Sequence, residues 1–198
     1  MNKNAYNFWA LKENEKICVF DLDDTLSNSI EYWLKFIETE TGKKFDTLHE
    51  AKQTLSYNEY RNLKCKFRNS GTKINILCKD CASEVTQKLR ERGFTIIIMT
   101  ARPFKDYKNL FKVTIDWLDK NKIAYDGIIF GENKHVKAMT ELENVKFIVE
   151  DHRYTANLCS KFGIRTYLLT NKYNMGETGS NVVRIKSLHD ILECKEAK

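Results

Sequence analysis

"KICVFDLDDTLSNS", residues 16–29, runs an apolar strand straight into three aspartates within four positions, Asp21, Asp23 and Asp24. "KICVF" (16–20) is a short continuous apolar run, the pattern of a strand buried on both faces. Carboxylates so close together repel one another. Folding gives no reason for that arrangement, so the stretch reads as a device for holding a cation or doing chemistry.

Working outward, the same strand pattern returns at "FTIIIMT" (94–100), "DGIIF" (126–130), "VKFIVE" (145–150) and "IRTYLL" (164–169). Helical segments alternate with these runs, at roughly 79–92, 105–121, 134–141 and 154–162. Gly93 and Gly163 stand where helix-ending glycines are expected. The alternation predicts an α/β sandwich, a parallel sheet between two helical layers with right-handed crossovers. Ligands of such sheets bind beyond the carboxyl ends of the strands. Residues 27–77 break the pattern. "SIEYWLKFIETETG" and "LHEAKQTLSYNEYRNLKCKF" read as two amphipathic helices, too long an insertion for a loop of a compact core. The expected division is therefore a core of 1–26 and 75–198 and a small helical lobe of 27–74 over the strand ends.

Composition sets limits on function. Apolar content of 42% and charged content of 30% are those of an ordinary globular protein, and the net charge of +6 suits anionic ligands without demanding nucleic acid. Residues 1–16 hold no apolar stretch of signal-peptide length, and no run reaches the length of a membrane span. The scattered cysteines, 18, 65, 78, 81, 159 and 194, read as reduced thiols, which implies a cytoplasmic location. Cys78 and Cys81 form a lone C-x-x-C with no second pair at zinc-ribbon spacing, so structural zinc is not expected.

Each strand delivers chemistry to one rim. Asp21 and Asp23 follow the first, Thr100 and Arg102 the second, Lys134 the third, Glu150 and Asp151 the fourth. Carboxylates of this kind hold a hard cation such as Mg²⁺. A cationic pocket beside them suits a phosphate, one carboxylate can attack phosphorus, and another can act as acid and then base.

D-x-D-x-T (21–25) after a strand, then Thr100, then Lys134, then an acidic pair after a strand resembles the haloacid dehalogenase superfamily of phosphohydrolases. The resemblance covers roughly residues 16–170 and implies its three-layer α/β/α fold, with the lobe in the place of a cap. Within the superfamily the chain looks most like the 5'(3')-deoxyribonucleotidase group, on "IIIMTARP" (96–103), "YDGIIFGENK" (125–134), "FIVEDH" (147–152) and the tail "YLLTNKYN…NVVRIKSLHDIL". The resemblance implies a Mg²⁺-dependent phosphomonoesterase acting on nucleoside monophosphates through an aspartyl-phosphate. Asp21 would be the nucleophile and Asp23 the acid/base. Asp21, Asp151 and the Asp23 backbone carbonyl would hold Mg²⁺, and Glu150 a metal-bound water. Thr100 and Lys134 would contact the phosphate. Arg102 would pair with substrate or with an acidic neighbour. Lys137, three residues after Lys134, is the competing lysine. Asp24 replaces a glycine common in the family's D-x-D-G-T and reads as structural, as does Thr25. His152 reads as a loop residue.

Two other functions fit parts of the pattern. "TIDWLDKNKIAYDGIIF" (114–130) also resembles the phosphatase half of polynucleotide kinase-phosphatases, although a closing lobe disfavours long substrates. A non-catalytic phosphate-binding module would not need both Asp21 and Asp23. The lobe's Tyr32, Trp33, Tyr57, Tyr60 and Phe67 read mainly as packing. Its Arg61, Lys64, Lys66, Arg68 and Lys73 are either a solvated face or an attractor of anionic nucleotides.

Overall fold

The computed structural model describes residues 15–107 and 109–198. The reading of the N-terminal segment therefore falls almost wholly outside the described residues. Six parallel strands form one sheet: β1 (Lys16–Asp21), β2 (Phe94–Thr100), β3 (Gly127–Phe130), β4 (Val145–Glu150), β5 (Thr166–Leu169) and β6 (Val182–Ile185), in the order β3-β2-β1-β4-β5-β6. The order turns back between β1 and β4, and a crevice at such a reversal is where open α/β sheets bind ligands.

Side-chain alternation explains the unbroken apolar runs. Val19 is level with Ile97 and Ile148, and these three pack on one face with Ala138 and Cys159. Phe20 is level with Ile98 and Val149, and these face the opposite layer with Leu89 and Trp117. Helices α6 (Lys134–Glu141) and α7 (Arg153–Lys161) cover the first face. Helices α4 (Ala82–Glu91) and α5 (Leu110–Lys120) cover the second. Both faces are buried, so neither parity along the strand can be polar. Among the described residues no helix is long and apolar enough to cross a membrane.

Between β1 and β2 lie α1 (Ser29–Thr41), α2 (Leu48–Thr54) and α3 (Tyr57–Asn69), then a short 3₁₀ turn, Thr72–Asn75. The expected second lobe helix is thus two helices. Ser56 caps α3 through a reciprocal box with Glu59, Thr47 caps α2, and Leu55 between them is extended. The S-x-x-E signature at 56–59 marks that break. Trp33 and Phe67 (ring centroids 5.2 Å apart) and Phe36 knit α1 to α3. The apolar cluster they join is continuous with the α4/α5 side of the core. The chain enters and leaves the insertion side by side: the Asn28 N–H donates to Leu77 O (2.9 Å) and the Lys79 N–H to Leu26 O (2.8 Å).

Other boundaries also moved. The helix expected from 105 starts at Leu110, because Pro103–Tyr107 form turns, and the strand expected from 164 starts at Thr166. β6 was not expected. It is four residues long, lies at the sheet edge and is mostly half-buried, so its apolar signal is weak.

Candidate active site

The alternation that builds the sheet also aims the site. Asp21 continues the parity of Ile17 and Val19, and Glu150 that of Ile148, so both point toward the α6/α7 layer. Lys134 is the first residue of α6 and ion-pairs with Asp21. Its Nζ lies 3.7 Å from Glu150 Oε2. Asp151 follows directly. Ligand atoms of Asp21, Glu150 and Asp151 all lie within 4.8 Å of one another, and all three residues are buried. Cys78 and Cys81 belong to no such group among the described residues.

Three buried carboxylates face one ammonium here. Burial pushes the Asp21 carboxyl well above the usual range. Lys134 opposes the shift, and Glu150 and Asp151 reinforce it. Burial likewise raises Glu150, to about 7, against the pull of Lys134. Glu150 Oε2 is buried without a hydrogen-bond partner, although its other oxygen accepts the His152 N–H (3.1 Å). A buried, unsatisfied carboxylate oxygen is costly, and a hard cation among these three residues would satisfy it. The donor set therefore fits Mg²⁺.

The loop after β1 separates two aspartates that are near neighbours in sequence. Asp24 has φ 70, the left-handed backbone for which glycine is the usual residue, and its Oδ1 accepts the Ile30 N–H (2.9 Å) in the first turn of α1. This accounts for both the glycine of the resembling motif and the aspartate found here. The Thr25 hydroxyl lies 3.4 Å from Asp21 Oδ2 and 3.2 Å from Asp151 Oδ1, tying the loop to the cluster.

Asp23 turns the other way. Arg102 holds it with two nitrogens: Nη2 is 2.6 Å from Oδ1 and Nε is 3.0 Å from Oδ2. Ser29 donates to it at 2.6 Å, and Lys73 Nζ stands 3.7 Å away. Burial alone would raise its pKa. Arg102 and Lys73 outweigh burial and hold the carboxyl well below the usual range. Of the two roles open to Arg102, pairing with an acidic neighbour is the one seen, and Thr114 steadies its Nη1 (3.1 Å). Thr100 is fully buried at the end of β2, and its Oγ1 accepts the Arg102 N–H at 3.3 Å. The ion pairs of the cluster belong to Lys134 and not to Lys137. His152 turns its ring to Thr155 (3.2 Å) at the start of α7.

Two contacts had no clear sequence signal. The Tyr173 hydroxyl donates to Asp151 Oδ2 (2.6 Å), and the Asn174 amide donates to the Asp151 carbonyl (2.7 Å). Both come from the 3₁₀ turn Lys172–Asn174 after β5. They sit in the "TNKYN" of the tail, with nothing in their spacing to link them to residue 151.

A cavity of about 200 Å³ opens beside Asp23 between the lobe and the strand ends. Trp33 and Phe67 supply apolar wall, and Lys64, Arg68, Lys73 and Arg102 supply charge.

No protein-family model matches the chain. It is similar to a nucleotidase of Clostridium acetobutylicum, 26% identical over an alignment of 186 residues that covers 90% of this chain and 92% of that one. Among solved structures it resembles a predicted phosphatase of C. acetobutylicum, with a TM-score of 0.63 and 19% identity over 91% of this chain and 99% of that one. It also resembles a family IA HAD hydrolase of Entamoeba histolytica, with a TM-score of 0.61 and 14% identity over 89% and 95% of the two chains. At these identities the structural likeness is one of fold: the chain has the haloacid-dehalogenase-like α/β/α architecture, with a parallel six-stranded sheet.

Proposed function

We propose that the protein is a Mg²⁺-dependent phosphomonoester hydrolase acting on nucleotides. The observation that carries the reading is the buried Asp21–Glu150–Asp151 group with Lys134 over it and Asp23 two residues beyond Asp21. The nucleotide class draws on the likeness to the clostridial nucleotidase. The narrower choice of deoxynucleoside monophosphates draws on the sequence resemblance to 5'(3')-deoxyribonucleotidases.

In this reading Asp21 attacks phosphorus in line with the leaving oxygen. The phosphorus–oxygen bond to the alcohol breaks as Asp23 gives the alcohol its proton, leaving an aspartyl-phosphate. Water then attacks that phosphorus, Asp23 takes the water's proton, and phosphate leaves. Lys134 faces the equatorial oxygens, where charge stabilisation contributes most to this transfer. Thr100 donates its hydroxyl to one of those oxygens. Asp21, Asp151 and the Asp23 carbonyl would hold Mg²⁺, with Glu150 holding a metal-bound water. The ion would supply positive charge to the phosphoryl oxygens. The Asp23–Arg102 pair is the base form of Asp23. The lobe acts as the cap that encloses the alcohol.

The test is phosphate release from a panel of ribo- and deoxyribonucleoside 5'- and 3'-monophosphates, p-nitrophenyl phosphate and a 3'-phosphorylated oligonucleotide, each with Mg²⁺ and with EDTA. Mononucleotides should lead, and EDTA should stop all release. No Mg²⁺-dependent release from any ester would leave a phosphate-binding module. A lead for the oligonucleotide would transfer the assignment to a polynucleotide 3'-phosphatase.

A further inference from the structure

The cavity beside Asp23 holds more positive charge than its own residues can neutralise. Four cations line it, Lys64, Arg68, Lys73 and Arg102, against two carboxylates, Asp23 and Asp24. Arg102 already occupies both oxygens of Asp23, and Lys73 shares the same carboxylate from 3.7 Å with a side chain only 11% exposed. Asp24 spends an oxygen on the Ile30 N–H. Lys64 and Arg68 pair with no carboxylate among the described residues. Lys64 contacts aromatic rings, and Arg68 contacts both the ring of Tyr107 and its hydroxyl, to which Nη1 donates at 3.4 Å. Lys64 Nζ lies 5.6 Å from the Tyr60 ring and 6.0 Å from the Trp33 ring, and the Arg68 guanidinium lies 5.2 Å from the Tyr107 ring.

Lys64 and Arg68 sit four residues apart on α3, so both project from the cavity side. Like charges at that spacing weaken a helix, and half-burying them adds desolvation. Lys66, between them in sequence, is exposed on the outer side and has its carboxylate, Glu40, at 2.9 Å. Among the described residues the outer cation has its counter-ion and these two inner ones have none. In the mechanism proposed above the transferred phosphoryl group is held at Asp21 and Lys134, and neither residue lines this cavity.

We propose that the alcohol released from this site carries a second phosphate, held by Lys64, Arg68 and Lys73, so that a nucleoside bisphosphate is a better substrate than the corresponding monophosphate. The proposal rests on the phosphatase reading above and sharpens its substrate class. The charge argument concerns the second anion, whereas the nucleoside part comes from the earlier reading, and the two are tested separately.

The experiment measures kcat/KM within two matched pairs: a nucleoside 5'-monophosphate against its 3',5'-bisphosphate, and fructose 6-phosphate against fructose 1,6-bisphosphate. A 3'-phosphorylated oligonucleotide serves as a further arm, since its last diester offers the same second anion from a polymer. The bisphosphate should lead its monophosphate at least tenfold. In the Lys64→Met/Arg68→Met protein, checked for folding by circular dichroism, that ratio should fall at least tenfold, while Lys66→Met should keep it. A lead for the sugar bisphosphate with no turnover of any nucleotide would sustain the second-anion site and sink the nucleotide reading. A lead for the oligonucleotide over the free bisphosphate would overturn the small-molecule form of the proposal. A ratio at or below one in the unaltered protein overturns the proposal, as does a ratio that the double substitution leaves in place. No release from any ester overturns the proposal and the reading beneath it together.

Discussion

Asp21 and Asp23 are separated by one residue and live in opposite surroundings. Asp21 stands among Glu150 and Asp151 with a single ammonium, and burial raises its carboxyl. Asp23 stands among Arg102, Lys73 and Ser29, and its carboxyl is lowered. The wall under α6 is short of positive charge, and the wall under the lobe is short of negative charge. The contrast comes from geometry and not from residue type. Strand parity sends Asp21 to one layer, and the left-handed turn at Asp24 lets the loop present Asp23 to the other. In the proposed mechanism a nucleophile beside a metal and an acid beside a leaving group both come from one five-residue motif, because its two aspartates face different surroundings.

The harshest test of that division is Asp21→Asn. Turnover of every ester should fall below detection in freshly purified protein, while the thermal midpoint in EDTA should not drop, because one of three crowded carboxylates loses its charge. Retained turnover would move the nucleophile elsewhere. Asp23→Asn should be milder and should have a different signature. Nucleotide hydrolysis should fall by about 10²–10⁴-fold, the usual range for loss of an acid/base. p-Nitrophenyl phosphate, whose leaving group needs no proton, should still give one equivalent of p-nitrophenolate per enzyme in a rapid-mixing trace. A missing burst would place both aspartates in the first step.

Next in size is the balance within the acidic wall. Lys134→Ala leaves three buried carboxylates without their ammonium, so stability in EDTA should fall by roughly 3–5 kcal/mol, as when one partner of a buried pair is removed. Mg²⁺ should recover much of that loss in a thermal-shift titration. Asp151→Ala should instead blunt the response to Mg²⁺ and raise the concentration needed for activity. If the two proteins answered Mg²⁺ alike, ligand and phosphate lysine would not be separable. The smallest effect belongs to Tyr173→Phe, which removes one hydroxyl from Asp151 Oδ2. The Mg²⁺ half-saturation should rise by about 10-fold, the low end for loss of a group that orients a ligand. An unchanged titration would make Tyr173 a bystander.

The residues differ in how far each could be read beforehand. β1, β2 and β4 were legible because strands buried on both faces must be apolar at every position. That fact also placed Asp21, Thr100, Glu150 and Asp151 at one rim. β6 escaped because an edge strand of four half-buried residues need not be apolar throughout. Lys134 could be preferred over Lys137 only on its place at the loop-to-helix junction, and the ion pair with Asp21 is made by Lys134. The Arg102–Asp23 pair and the hold of Tyr173 on Asp151 were illegible for another reason. Each joins a loop to a distant segment, and no periodicity governs where a loop side chain points. The basic residues of α3 were visible as a group, but which of them face inward depended on the helix's rotation against the core.

The paired crossing at Asn28–Leu77 and Leu26–Lys79 makes the core see the whole insertion as the loop of a hairpin. Closing such a loop grows more costly only slowly with its length, about 0.6 kcal/mol for each doubling. The neck therefore works as a socket. The sheet's register and the rim of carboxylates are set on one side of it, and the cavity walls carrying Trp33, Lys64, Phe67 and Arg68 are set on the other. On the proposed function, changes in the helices above it would alter which alcohol is accepted without re-tuning the residues assigned to phosphorus.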